Sequence, residues 1–69
     1  MLKTEQLTAM ALERVSHDRY LLAKAVGIRA KELADGARPY VKADPKLYKF
    51  VDIALAEIAE GKIEIIFER

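Results

Sequence analysis

Residues 18–36 read DRYLLAKAVGIRAKELADG, and this stretch decides the fold. Asp18 is a favourable N-cap because its carboxylate can accept from the free backbone N–H groups at a helix start, and Gly36 suits the left-handed conformation in which many helices stop. Between them, apolar residues recur at helical spacing in two adjacent stripes. The stripes are Leu22, Val26, Ala30 and Leu33, and Leu21, Ala25 and Ile28. The stretch therefore predicts a helix over about 19–34 with a wide apolar face.

Gly27 lies inside this predicted helix, where glycine costs about 1 kcal/mol relative to alanine. A position without a side chain lets a second backbone approach closely. We therefore expect another segment to pack against the helix at Gly27.

A first helix is expected on the N-terminal side of this stretch, over about 4–15. Thr4 can act as its N-cap, and the apolar residues that follow fall on one helical face. These residues are Leu7, Met10, Ala11 and Val15. Two helices joined by a short turn around Ser16 are therefore predicted before the chain reaches Gly36.

A Pro-containing connection over residues 35–45 leads to a predicted third helix over about 45–60. Asp44 is expected as its cap and Pro45 as its first helical residue. Apolar residues again follow at spacings of three and four. They are Tyr48, Val51, Leu55 and Ile58. Gly61 is expected to end this helix.

The tail from Lys62 to Arg69 carries an alternating apolar pattern at Ile63, Ile65 and Phe67, which is typical of a short strand. A lone strand cannot satisfy its own backbone, so a frayed extension of the third helix is an open alternative. The fold class predicted for the whole chain is all-α, a small bundle of about three helices with a short extended C-terminal tail.

Composition excludes several classes of protein. We expect one domain over residues 1–69, since hydrophobic residues make up 52% of the 69 residues and charged residues 33%. The absence of cysteine excludes disulfides and zinc–thiolate sites. A net charge of +1 is not that of a general polyanion binder. No apolar run approaches the roughly 20 residues that span a bilayer, so a cytoplasmic protein without a membrane partner is expected.

The small core predicts a binding partner. A domain of this size rarely gains more than about 3–5 kcal/mol of net stability from its own core, and no disulfide can supplement it. The apolar half of the residues exceeds what three short helices can easily hide. We therefore expect an exposed apolar face that a partner covers, and self-association when the chain is isolated.

No catalytic site is predicted in this chain. The adjacent residues Ser16, His17 and Asp18 cannot readily form a triad, because the base must meet the nucleophile and its orienting carboxylate from opposite ring nitrogens. His17 is expected as an exposed turn residue. Glu57 and Glu60 are expected as solvated surface carboxylates. Neither a phosphate-binding loop nor a metal-ligand cluster is present in the pattern, so no cofactor and no metal are expected.

Charge is distributed unevenly along the chain. Residues 19–49 carry eight basic and three acidic groups, and residues 50–69 carry two basic and five acidic groups. A basic rim around an apolar interface and an ordinary solvated helix face both fit this pattern. Two other classes of protein stay open: a small homodimeric helical regulator that binds DNA through the second helix, and an antitoxin-like interaction module. The acidic third helix is a poor reader of DNA, because phosphates repel it.

Two segments together resemble the omega subunit of bacterial RNA polymerase. The first begins with Asp18-Arg19-Tyr20 and continues to Arg-Ala-Lys-Glu-Leu at residues 29–33, where the family usually shows N-R-[FY] and then R-A-[RK]. The second is VDIALAEIAEGKI at residues 51–63, of which EIAEGKI is close to a family signature. Each motif is weak alone, but the ordered set over about residues 15–63 is specific.

The resemblance implies a non-catalytic subunit of a nucleotidyltransferase, the DNA-directed RNA polymerase. An omega-type subunit clamps the C-terminal part of the largest subunit, β′, and assists its folding and assembly with β and the two α subunits, so that contact with DNA is only indirect. Nine residues are implied at the β′ interface. They are Arg19, Tyr20, Leu22, Val26, Arg29, Lys31, Val51, Leu55 and Ile58. Tyr20 is expected to pack and Arg19 to make a charge-assisted hydrogen bond, while Arg29 and Lys31 face β′ or water.

The chain departs from the family where some members bind guanosine tetraphosphate. Many omega subunits have A-L-R-E-I in the third helix, and here Ala56 stands at the position of that arginine. A second arginine near the start is also missing, and Lys3 is the only candidate in its place. Losing a guanidinium removes bidentate phosphate recognition, so weak or absent alarmone binding is expected.

Overall fold

A computed structural model describes residues 2–63 of the chain. It contains helices α1 (Thr4–Arg14), α2 (Arg19–Ala34) and α3 (Phe50–Ala59). The predicted all-α class is confirmed for these residues. The predicted extended tail falls largely on residues 64–69, which lie outside the described residues. None of the three helices is both long and apolar enough to traverse a lipid bilayer.

Helix α3 is the centre of the fold. Every residue from Ile53 to Ala59 is buried, because α1 and α2 both pack against α3 and scarcely touch each other. A helix covered on all sides must be apolar all round, which explains its run of Ile, Leu and Ala. One core cluster joins all three helices; it consists of Leu7, Ala11, Leu12, Val15, Leu22, Leu55, Ala56, Ile58 and Ala59. A second cluster of Leu33, Ala43, Ile53 and Ala54 ties the connection to α2 and α3.

The ends of α2 follow the sequence prediction. The Asp18 carboxylate accepts from the Leu21 backbone N–H at 3.0 Å, which confirms the N-cap. Gly36 has φ of +107° and directly follows the C-cap residue, Asp35, as the left-handed stop requires. The Ala37 N–H then bonds back to the Glu32 carbonyl at 3.0 Å, so the chain leaves α2 in a fixed direction.

The turn between α1 and α2 is strained. Ser16 and His17 have φ of +54° and +60°, a region that residues with a Cβ rarely adopt. The His17 N–H donates to the Leu12 carbonyl at 2.7 Å, and the Asp18 N–H donates to the Val15 carbonyl at 3.0 Å. These bonds hold the tight reversal that brings α1 and α2 to opposite sides of α3, and they leave His17 exposed as expected.

The predicted start of α1 at residue 4 is confirmed, but its predicted cap and the predicted start of α3 are wrong. Lys3 rather than Thr4 is the N-cap of α1, and the Gln6 side chain accepts from the Lys3 N–H at 3.3 Å. Helix α3 begins at Phe50, five residues after Pro45. Asp44 and Pro45 instead open a separate turn, because the Asp44 carboxylate accepts from the Lys46 N–H at 2.8 Å and its carbonyl accepts from the Leu47 N–H at 2.8 Å.

Candidate partner-binding site

A buried ion pair links α2 to α3. Arg29 Nε donates to Glu57 Oε1 at 2.7 Å, and Arg29 Nη2 donates to Oε2 of the same carboxylate at 3.1 Å. Glu57 is completely buried and Arg29 is 8% exposed. Two parallel bonds between a guanidinium and a carboxylate are the strongest arrangement that this pair can adopt. The two residues lie 28 positions apart in the chain, so the pair joins α2 to α3 across the connection between them.

The ion pair also holds the connection between α2 and α3. Glu57 Oε2 accepts from the Tyr40 backbone N–H at 2.7 Å, and Arg29 Nη2 donates to the Arg38 carbonyl at 3.1 Å. The Tyr40 ring lies over the guanidinium, 4.5 Å from its carbon, in a cation–π contact. Arg29 Nη1 makes a further bond of 3.2 Å to Glu32. The connection is therefore anchored at Arg38 and Tyr40, although it contains no regular structure there.

The network is complete as a set of hydrogen bonds. Within residues 2–63, no buried side-chain nitrogen or oxygen lacks a partner. Hydrogen bonding to Glu57 raises the pKa of Arg29 above its ordinary value, against the lowering effect of burial, so the guanidinium stays charged. Arg29 is therefore charged at any working pH.

Two expectations about these groups are corrected. Glu57 was expected as a solvated carboxylate and is instead fully buried, because it supplies the counter-charge to Arg29. Arg29 does not face water, which was one of its two expected orientations. Glu60, the other member of the expected pair, is exposed. The signal for Glu57 was present in its neighbours, since a lone charge within an apolar helical run requires a buried partner.

The outer face of α2 consists of exposed residues on the side of the helix that turns away from α3. They are Arg19, Tyr20, Ala23, Lys24, Gly27, Ile28 and Lys31. Tyr20 is 78% exposed and Ile28 is 57% exposed. An added Cβ at Gly27 would meet no atom within 4 Å among the described residues. The prediction that another segment packs closely against Gly27 is therefore wrong for this part of the chain.

The nine residues expected at the β′ interface do not form one surface. Arg19, Tyr20 and Lys31 lie on the outer face of α2, and Val51 is exposed at the start of α3. Val26 is half-buried between the two core clusters. Four are buried within the chain itself: Leu22, Arg29, Leu55 and Ile58. The helical stripes gave no means to separate residues that cover α3 from residues that face outward.

Sequence reasoning missed several exposed apolar residues. Ile28 is part of the second apolar stripe predicted on α2 and Tyr48 part of the apolar series predicted on the third helix, and both are exposed. Leu47, which is 77% exposed, was not singled out at all. The exposure of Leu47 and Tyr48 follows from the late start of α3, which leaves residues 45–49 in a turn on the surface.

The described residues contain no group of three or more His, Asp or Glu residues placed to hold a metal ion. An open pocket of about 400 Å³ lies beside the connection, lined by Tyr40, Val41, Lys42, Glu60 and Lys62.

Comparison with known proteins adds independent information. The RNA polymerase Rpb6 family matches residues 8–65. A DNA-directed RNA polymerase subunit omega from Helicobacter hepaticus is 56% identical over 64 residues, which cover 93% of this chain and 86% of that protein. A subunit of the same name from Nitratiruptor sp. is 54% identical over 68 residues, which cover 99% of this chain and 97% of that protein. No solved structure matches this chain at a significant level.

Proposed function

This chain belongs to the RNA polymerase Rpb6 family, together with the bacterial omega subunits, and from that premise we propose that it binds the largest polymerase subunit, β′. As a family member it is a non-catalytic subunit of DNA-directed RNA polymerase and associates with the polymerase core. The finer proposal is that it clamps β′ and promotes its folding and its assembly with β and the α subunits in the cytoplasm.

The outer face of α2 carries this proposal. Its opposite side is already packed on α3, so the exposed Tyr20 and Ile28 have no role in the chain's own core. Gly27 lies beside them with open space above its backbone, which leaves room for a partner segment to approach closely. Exposed apolar side chains around a flat, small-residue centre, with Arg19 and Lys31 at the edge, are typical of a docking surface.

The clamp acts by mass action. A partner that binds only the folded form of β′ stabilises that form, by about 2.7 kcal/mol when its free concentration is 100 times its dissociation constant. A subunit of 69 residues needs no active site for this role. Its rigid α2–α3 framework, joined by Arg29 and Glu57, reduces the entropy that is lost on binding.

The test is a titration of the labelled chain with the polymerase core from which this subunit has been left out. Ile28→Ser is expected to weaken binding by about tenfold, because it removes an exposed apolar contact without touching the core. Leu2→Ser is the matched control, since Leu2 is also a large exposed apolar residue but lies outside α2. Equal affinities of wild type and Ile28→Ser would contradict the assignment of this face.

The oligomeric state of the isolated chain completes the test. If the isolated chain self-associates through the outer face of α2, the oligomer should dissociate when the chain binds the polymerase as a single copy. A homodimeric DNA-binding regulator should instead remain a dimer and bind duplex DNA with an affinity that falls steeply as salt rises. Tight duplex binding by the free chain would favour the regulator.

A further inference from the structure

The connection between α2 and α3 presents a second exposed surface, the connection patch, defined as residues 38–51. Its exposed apolar side chains are Tyr40, Leu47, Tyr48, Phe50 and Val51. Five of the eight large exposed apolar residues of the described chain lie within this patch. Scattered apolar residues on a surface are ordinary, but a concentration of them within fourteen residues marks a place where something binds.

The patch is basic as well as apolar. Arg38, Lys42, Lys46 and Lys49 are all exposed, and none of the four has a carboxylate within 4 Å among residues 2–63. The acidic residue of the patch, Asp44, is engaged locally by the Lys46 N–H at 2.8 Å. An occupant of the patch would therefore gain most if it carried negative charge.

The patch has a fixed shape. The Tyr40 backbone N–H donates to Glu57, two residues before the end of α3, Ala43 is buried against Ile53 and Ala54, and Phe50 begins α3. The connection thus follows α3 in the reverse direction over about 10 Å, the rise of the seven residues from Phe50 to Glu57. The pocket of about 400 Å³ beside Tyr40 and Lys42 lies at the Tyr40 end of the connection patch. A surface that is ordered before binding loses little entropy when it is occupied.

From this arrangement we infer that the connection patch binds an acidic polypeptide segment of the polymerase that carries apolar side chains. The apolar side chains pack on Leu47 and Val51, one side chain enters the pocket at Tyr40, and the acidic groups meet the lysines. The inference rests on the proposed function, since it names the chemistry of a second contact made with the same assembly.

A polypeptide fits the patch better than a nucleic acid does. Of the three aromatic side chains in the patch, Tyr40 has one face against the Arg29 guanidinium, and Tyr48 and Phe50 are each only 37% exposed. The most exposed apolar side chain is the aliphatic Leu47, at 77%, which offers no ring on which a base can stack. Asp52 follows Val51 directly, and Glu60 lines the pocket. A nucleic acid carries a phosphate at every nucleotide and would meet both carboxylates, whereas a polypeptide can place its acidic side chains opposite the lysines alone.

Two variants of the full chain test the inference against the polymerase core that lacks this subunit. Replacing Leu47 and Val51 together by Ser is expected to weaken binding by about tenfold at both low and moderate salt. Replacing Lys42, Lys46 and Lys49 together by Gln is expected to weaken binding by about tenfold at low salt and to flatten its salt dependence. All five residues are exposed, so thermal melts of the free variants should match that of wild type. If the Ser variant does not fold, the binding affinity of the Gln variant alone tests whether the connection patch is a docking surface.

The outcomes separate the two proposals. If wild type binds the core and both variants bind equally well, the connection patch is not a docking surface and the proposed function stands. If wild type does not bind the core, the proposed function fails and this inference fails with it. A 20-nucleotide oligo(dT) is the probe for the rival occupant, and tight binding that the Gln variant loses would overturn the inference in favour of nucleic acid.

Discussion

Replacing Glu57 by alanine should unfold the isolated chain. The substitution removes the acceptor of three hydrogen bonds: two from Arg29, at 2.7 and 3.1 Å, and one from the Tyr40 N–H at 2.7 Å. Arg29 is then a buried cation whose remaining partners are the Arg38 carbonyl and the half-exposed Glu32. The connection loses its anchor at Tyr40 at the same time.

The magnitude follows from the burial of the pair. Removing one partner of a buried ion pair costs about 3–5 kcal/mol, because the other charge is left without compensation. The whole domain is stable by only about 3–5 kcal/mol, so Glu57→Ala should lie at or beyond the unfolding midpoint at 25 °C. Replacing both residues by apolar ones, Arg29→Met with Glu57→Leu, should be far milder, since such exchanges are often neutral or stabilising by about 1–4 kcal/mol.

The assay is urea unfolding followed by far-ultraviolet circular dichroism. Glu60→Ala is the matched control, because Glu60 lies one turn further on, at the exposed end of α3. Its free energy of unfolding should stay within about 0.5 kcal/mol of wild type. A Glu57→Ala protein that unfolds at the same urea concentration as wild type would refute the claim that this pair holds the fold together.

Four further predictions follow from the same structure. His17→Gly should raise the free energy of unfolding by about 0.5–1 kcal/mol, because glycine relieves the left-handed strain at φ of +60°; a thermal melt that shows no gain would contradict this. Gly27→Ala should raise the free energy of unfolding of the free chain by about 1 kcal/mol and weaken its binding to the polymerase core. A more stable variant that binds the core at least as tightly as wild type would count against docking at that face. The stability difference between wild type and the double variant Arg29→Met with Glu57→Leu should stay constant from about pH 6 to pH 10 in urea titrations. A raised pKa means that the contribution of Arg29 is complete below its ordinary pKa and is lost only above the raised one, beyond this range, so a difference that changes toward pH 10 would be contrary evidence. Labelled guanosine tetraphosphate should bind the assembled polymerase weakly or not at all at this subunit, because Ala56 is fully buried against α1 and supplies no guanidinium; micromolar binding abolished by Lys3→Ala would show otherwise.

The parts of the fold that depend on neighbours in sequence were predictable. The cap at Asp18 and the stop at Gly36 each need only a few adjacent residues, and both are confirmed. Asp44 and Pro45 gave an equally clear local signal and were placed wrongly. Their turn closes on itself through the Asp44 carboxylate, and the chain then runs through Lys49 in extended conformation before α3 begins.

The centre of the site was not predictable by local rules. Arg29 and Glu57 are 28 residues apart, and neither residue alone shows which partner it will meet. Periodicity also failed to separate Leu22, which covers α3, from Ile28, which faces outward, because the apolar face of α2 extends over both. Only the position of α3 between the two other helices decides which stripe is the core.

Photo-cross-linking from Tyr20 identifies the polymerase subunit that the outer face of α2 contacts. The side chain is 78% exposed, so a photoreactive benzoylphenylalanine in its place should not disturb the fold. After reconstitution with the other polymerase subunits and irradiation, a cross-link to β′ is expected. Cross-links confined to the α or β subunits, or none in an assembled enzyme, would contradict it.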